Sequence, residues 1–264
     1  IKIMNTKIKS NTAENPLSNS LHFVMQSKGG AGKTHTAVLM AQYLLNKEHP
    51  IICMDTDPKN QSFKAHNALK AGYVAISENK TILQQKFDDA FERIYSAKGC
   101  FLVDTGSATF DPLLKYFKSN EILKAFNDSG KNIYIHCVIN GGGGYQETLN
   151  SLNEVIQIID EKTKVVVWKN PKEGAVIDPT NKMKPEDSQI IKNAVAKNQI
   201  CGIVDIFNWA GNGDDDYVAS VLKMTSKRLI ISEVNESTEF NFIEKKRLNT
   251  VVDKVFKELD AVQW

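Results

Sequence analysis

The chain has 264 residues, 42% of them hydrophobic and 24% charged, ordinary values for a globular protein able to bury a sizeable single core. A net charge of +2 gives no argument for nucleic acid, so DNA stays an open partner and no more. The cysteines Cys53, Cys100, Cys137 and Cys201 lie far apart without a C-x-x-C pair. They read as small buried hydrophobes in a reducing compartment, not as a disulfide framework or a metal site. No apolar run approaches the roughly 18 residues of a membrane span and no signal-peptide pattern is visible, so a cytoplasmic protein off the membrane is expected.

Residues 1–20 are polar, rich in Asn, Ser and Lys, and show no sustained period. They read as a tail, with Met4 a candidate natural start, or as an extra edge element against one domain spanning residues 21–264. The apolar run Leu21–Met25 predicts a strand, and Thr36–Leu45 predicts a helix. Between them lies Ser27-Lys28-Gly29-Gly30-Ala31-Gly32-Lys33-Thr34, a glycine-rich phosphate-binding loop. Glycines let backbone N–H groups converge on phosphate oxygens, and a helix N-terminus adds positive potential. Lys33 is placed to reach the β- and γ-phosphates and the Thr34 hydroxyl to ligate Mg²⁺. The cofactor-binding stretch is thus Gly29 through Thr34, with His35 beside it.

Further strands are predicted at Pro50–Met54, Tyr73–Ile76, Gly99–Val103, Ile133–Ile139, Lys164–Trp168 and Ile200–Val204, with a weaker candidate at Leu229–Ile231. Amphipathic helices fall between them, at Ile82–Ala97 and Thr148–Ile159 among others. This alternation predicts an α/β fold: a doubly wound, mostly parallel sheet flanked by helices, with ligands at the carboxyl ends of the strands. No internal repeat and no second domain is seen.

The strand ends carry the remaining chemistry. Asp55-Thr56-Asp57-Pro58 follows the second strand; it reads as a turn into the next helix or as carboxylates facing a phosphate. Asp104 ends the run Phe101-Leu102-Val103, as a carboxylate that holds Mg²⁺ through its water shell does, and Gly106 leaves room for an N–H near the γ-phosphate. Asn170 ends a late strand ahead of Pro171, as a turn residue or as a donor–acceptor matched to adenine. No N-K-x-D guanine motif is present, which favours ATP over GTP.

Lys28, at the loop entrance where Ser27 replaces the usual first glycine, changes the reading. Lys-Gly-Gly-x-Gly-Lys-Thr resembles the deviant Walker A motif of the ParA/MinD superfamily of P-loop ATPases. The resemblance implies a slow ATPase, accelerated by a partner protein, that dimerises around two ATP-Mg²⁺. Lys28 then acts in trans on the other subunit's phosphates, like an arginine finger. It implies that Asp57 orients the attacking water, that Asp55 supports Mg²⁺ or the loop geometry, that Asp104 serves Mg²⁺ and that Asn170 reads adenine. The catalytic set is Lys28, Lys33 and Asp57, and the metal set Thr34, Asp55 and Asp104. His35 departs from the Thr or Ser common in that superfamily.

The motifs cover residues 21 to about 170. Val138–Leu152 and the Trp168-Lys169-Asn170-Pro171 turn resemble plasmid conjugation and stability ATPases of the StbB/TraL type, which points to plasmid partition, stability or conjugative transfer. A metabolic P-loop enzyme resembling dethiobiotin synthetase, and a nucleotide-binding scaffold without turnover, are the alternatives. Gly141–Gly144 is either an approach to the partner's nucleotide or a flexible turn. Asp214-Asp215-Asp216 reads as a solvated loop capping a helix. The terminal stripe Leu248, Val251, Val252, Val255, Phe256, Leu259 and Val262 reads as core packing, because Asp253, Glu258 and Asp260 offset the basic face a membrane anchor needs.

Overall fold

The computed structural model describes residues 15–78, 81–82, 84–207 and 215–264. Its centre is a seven-stranded sheet in the order β3-β2-β6-β1-β7-β8-β9, every pairing parallel. The strands are β1 (Ser20–Met25), β2 (Ile51–Asp55), β3 (Gly72–Tyr73), β6 (Cys100–Asp104), β7 (Asn132–Asn140), β8 (Lys164–Asn170) and β9 (Ile200–Asp205). A small antiparallel hairpin, β4 (Ser77–Glu78) with β5 (Thr81–Ile82), stands apart.

Nearly unbroken apolar strands need cover on both faces, and helices supply it. One face packs α3 (Phe110–Asn120), α4 (Ile122–Asp128), α5 (Tyr145–Ile158) and α6 (Gln189–Ala196), with α2 (Gln84–Ser96) beside them, around Phe23, Phe101, Ile135 and Val167. The other face packs α1 (Lys33–Asn46) and α9 (Phe242–Asp260) around Val24, Leu102, Val138 and Trp168. The helices α7 (Asp215–Ser226) and α8 (Ile231–Glu236) close over α9. The terminal stripe is core: Leu248, Val251, Val252, Val255, Leu259 and Val262 are buried and Phe256 packs partly against them. Among the described residues no helix is long and apolar enough to cross a membrane.

Two expected strands are corrected. Of Tyr73–Ile76 only Tyr73 lies in the edge strand, with Gly72 before it; Val74 N still donates to Asp55 O at 2.9 Å, and Ile76 beyond it is buried in the core. Leu229–Ile231 is no strand: Ile231 opens α8, with Glu233 accepting from Ile230 N at 3.0 Å and Gln42 from Ile231 N at 2.7 Å. A short apolar run carries no period that separates the two states, and local capping decides. At the start of the described chain, Leu17 is buried and Pro16 O accepts from the Asn132 side chain at 2.9 Å, so Asn15–Asn19 lie against the sheet. Asp214 is outside the described residues, whereas Asp216 pairs with Arg247 at 2.6 Å.

Candidate functional site

The motif residues meet where the parallel strands end. The loop leaves β1 and enters α1 through Gly32, whose φ of 103° lies in the left-handed region. A side chain there is excluded twice over, since a Cβ at Gly32 falls 2.4 Å from Asn170 Nδ2. Among the described residues no side chain caps this end of α1, so its first N–H groups are left to face the loop.

Asp104 and Thr34 form the centre. Thr34 Oγ1 donates to Asp104 Oδ2 at 2.6 Å, while the buried Oδ1 has no partner among the described residues. Burial pushes the Asp104 carboxyl up to about 7; the Thr34 bond and Lys33 oppose this and Asp55 and Asp57 add to it. Lys33 is buried, which lowers its pKa against the pull of Asp104 and Asp57, and its Nζ donates to Lys28 O at 3.1 Å. A hydroxyl and an orphaned carboxylate oxygen side by side, backed by an ammonium, are a donor set that fits Mg²⁺ and a phosphate chain.

Asp55 is fully buried, and its two oxygens accept from three backbone N–H groups, those of Asp57, Phe63 and Lys64, each at 3.0 Å. Of its two expected roles, support of the loop geometry is the one these bonds serve. Asp57 accepts from Lys59 N at 2.8 Å and Asn60 N at 3.1 Å, closing the turn that its sequence suggests. The same carboxylate packs on Gly106, where an added Cβ falls 3.0 Å from Asp57 Cγ. The loop after β2 and the loop after β6 are therefore in contact.

Asn170 Oδ1 accepts from Lys172 N at 3.1 Å, and its Nδ2 donates to Ala31 O at 2.9 Å. The turn role is thus real, and it also ties β8 to the phosphate loop. Asn170 lines a cavity of about 360 Å³ with His35, Pro171, Phe207, Val221 and Leu222, mostly apolar and adjoining Gly32. Burial, with His66 and Lys172 nearby, holds His35 below its ordinary pKa, so the wall it forms is uncharged at neutral pH. A larger cavity of about 430 Å³ between α5 and α6 lies at the opposite, amino end of the strands, away from these groups.

Lys28 bends along its own chain. Its Nζ is 3.4 Å from Glu147 Oε2, its side chain is 23% exposed, and its Cε lies against Gly144. In the Gly141–Gly144 turn Gly141, Gly142 and Gly144 are closely packed and Gly143 is open: a Cβ at Gly141 falls 2.0 Å from Gly174 O. Several supports carry no local sequence signal. Gln26 is buried, donating to Val138 O at 2.7 Å and accepting from Ser27 N at 2.8 Å. Thr105 Oγ1 donates to Val24 O at 2.8 Å and Thr56 Oγ1 to Asp104 O at 3.1 Å.

A phosphate loop on a parallel sheet, with carboxylates at neighbouring strand ends, defines a P-loop nucleotide-binding protein. The chain belongs to the CobQ/CobB/MinD/ParA nucleotide binding domain family, whose profile matches residues 22–255. It is 28% identical over 240 residues to a protein TraL of Escherichia coli, covering 91% of this chain and 97% of that protein. A second protein TraL of Escherichia coli is 27% identical over 241 residues, with the same shares covered. In fold it is similar to the MinC:MinD cell division protein complex of Aquifex aeolicus, with a TM-score of 0.50, 13% identity and 93% and 97% of the two chains covered.

Proposed function

We propose that the protein is an ATP-hydrolysing switch that dimerises with ATP and Mg²⁺, is stimulated by a partner protein and serves conjugative DNA transfer or plasmid maintenance. The observation that carries the reading is the Thr34–Asp104 pair, whose second carboxylate oxygen has no partner among the described residues, set beside Lys33 at the mouth of the loop. Thr34 and Asp104 are the residues to hold Mg²⁺, which when bound offsets phosphate charge. Lys33 moves its ammonium from Lys28 O to the phosphates, and the apolar cavity beside Asn170 takes the base. Beyond its bonds to Ala31 and Lys172, an asparagine has a further N–H and lone pair for adenine.

Asp57, at the contact between the two loops, accepts a hydrogen bond from a water aligned on the γ-phosphorus. The water oxygen forms the new P–O bond as the bond to the β-bridging oxygen breaks, giving ADP and inorganic phosphate. Lys28 is partly exposed at the rim and free to exchange Glu147 for phosphates across a two-fold interface. Loss of the γ-phosphate releases both loops and weakens the dimer. The similarity to the TraL proteins supports the conjugative setting, and DNA as a direct partner rests on nothing in the site.

Phosphate release and molecular mass measured together, with ATP-Mg²⁺ and with ADP-Mg²⁺, test the reading. Turnover of ATP with no second substrate added and an ATP-specific dimer are expected. Turnover that requires a small acid as acceptor points to the metabolic enzyme instead, and an ATP-specific dimer without phosphate release to a scaffold.

A further inference from the structure

Asn140 is the most anomalous polar residue near the loop. It is 0% exposed at the carboxyl end of β7, and neither Oδ1 nor Nδ2 has a hydrogen-bond partner among the described residues. Leaving a buried amide unpaired costs about 1–3 kcal/mol per group, so such a residue is kept for a reason outside the packing of this form.

Its position shows where the partner must come from. Asn140 is in register with Asn170, two residues beyond the pair Val138 and Trp168. Side chains two apart in a strand share a face, so the two asparagines lie on the α1 side of the sheet, just past the last core layer. Asn170 already holds the loop there through Ala31 O. On the other side β7 pairs with β1 as far as Met25–Cys137, so its last three residues run on beside the phosphate loop. An added Cβ on Gly144 falls 2.8 Å from Lys28 Cε and 3.2 Å from Asn140 Cβ, so the end of the Lys28 side chain and Asn140 meet at the same glycine.

The loop also has a group that loses its partner. Lys28 O is held by Lys33 Nζ at 3.1 Å, and that ammonium is the one a phosphate chain draws away. That carbonyl then needs a new donor, and among the described residues the buried amide without a partner is that of Asn140 on β7. We propose that Asn140 is a positioning residue that takes up hydrogen bonds with the 28–31 backbone when nucleotide binds, replacing Lys33 as the brace of the loop. It pairs with Asn170 as two amides under one loop, the first engaged only in the bound form and the second in both. This inference rests on nucleotide binding at the loop and does not depend on hydrolysis.

The experiment compares thermal unfolding and ADP-Mg²⁺ affinity for the parent, Asn140→Leu and Asn140→Asp. Leucine removes the unpaired amide at similar volume, so the ligand-free protein should melt at or above the parent temperature. Its nucleotide affinity should fall about fivefold to tenfold, the loss of one or two hydrogen bonds, and the melting shift on adding ADP-Mg²⁺ should shrink. Asn140→Asp keeps the shape and loses the donor, and should weaken binding at least as much, which preserves the test if the leucine variant does not fold. A ligand-free protein that is destabilised with unchanged affinity in both variants makes Asn140 a residue of the fold alone and overturns the proposal. A parent that shows no shift with ADP-Mg²⁺ overturns nucleotide binding itself, which is a different failure.

Discussion

Thr34 Oγ1 and Asp104 Oδ2 stand 2.6 Å apart, joining the first turn of α1 to the end of β6, while the other oxygen of that carboxylate has no partner among the described residues. The charged form of Asp104 is costly in so buried a place, as its raised pKa of about 7 records. Asp104→Asn should therefore fold at least as well as the parent. It should lose Mg²⁺-dependent nucleotide binding by about tenfold or more, because an amide is a poor ligand for a hard cation. Titration of a fluorescent ATP analogue with and without Mg²⁺ is the measurement, and equal Mg²⁺ dependence in both proteins takes Asp104 out of the metal site.

The two loop lysines should separate cleanly. Lys33 is buried among the loop atoms and Lys28 partly exposed at the rim beside Glu147. Lys33→Ala should abolish detectable ATP binding. Lys28→Ala should keep binding within about threefold, since an exposed ion pair contributes little, and should lose ATP-dependent dimerisation or turnover. Light scattering and phosphate release that both match the parent would leave Lys28 an ordinary surface lysine.

What the sequence disclosed depended on how local each feature is. The phosphate loop, the carboxylates at Asp55, Asp57 and Asp104 and the parallel α/β fold were legible because each is a contiguous strand-end signature. The apolar cavity beside Asn170 was not, since His35, Pro171, Phe207 and Val221 come from segments that meet only in the fold. Asp55 shows what lies beyond a motif: the sequence offers support of Mg²⁺ or of the loop, and the bonds from Phe63 and Lys64, eight and nine residues on, come only with the fold. Gln26 and Asn140 are single amides in apolar surroundings, and no pattern marks them.

A polar chain within the core on the α1 side of the sheet predicts acid sensitivity. Trp168 Nε1 can only donate, so His136 Nδ1 accepts from it at 2.9 Å. His136 Nε2–H then donates to His22 Nδ1 at 2.9 Å, His22 Nε2–H to Ser20 Oγ at 3.0 Å, and Ser20 to Leu17 O at 2.8 Å. Both rings are fully buried and neutral: burial takes His136 down to about 3, and burial with His136 as neighbour takes His22 well below its ordinary value. Because the folded pKa values are depressed, this stability is fully present above the unfolded value near 6.5 and is lost as pH falls toward the folded values. Each ring should contribute a slope of about 1.4 kcal/mol per pH unit below that point. Urea unfolding between pH 7.5 and 5, read with imidazole NMR shifts of the folded protein, checks it. Rings that titrate near 6.5 while folded contradict the assigned chain.

Asp57→Ala is the sharpest test of the switch. Asp57 shapes its own turn through Lys59 N and Asn60 N and leans on Gly106. Losing those turn bonds should cost about 1–2 kcal/mol of stability and leave the loop, Thr34 and Asp104 in place to bind ATP-Mg²⁺. With no group to align the water, phosphate release should fall by about a hundredfold or more, a common cost for removing a group that positions the reacting atoms. The contacts that favour association should then persist, since a γ-phosphate that is not removed keeps both loops engaged. The Asp57→Ala protein should accumulate as a dimer in ATP-Mg²⁺ and not in ADP-Mg²⁺. Sizing over the time in which the parent returns to monomer decides the matter. Equal return with equal phosphate release assigns the water to another residue, whereas a trapped dimer with intact ATP affinity makes hydrolysis at Asp57 the step that times the switch.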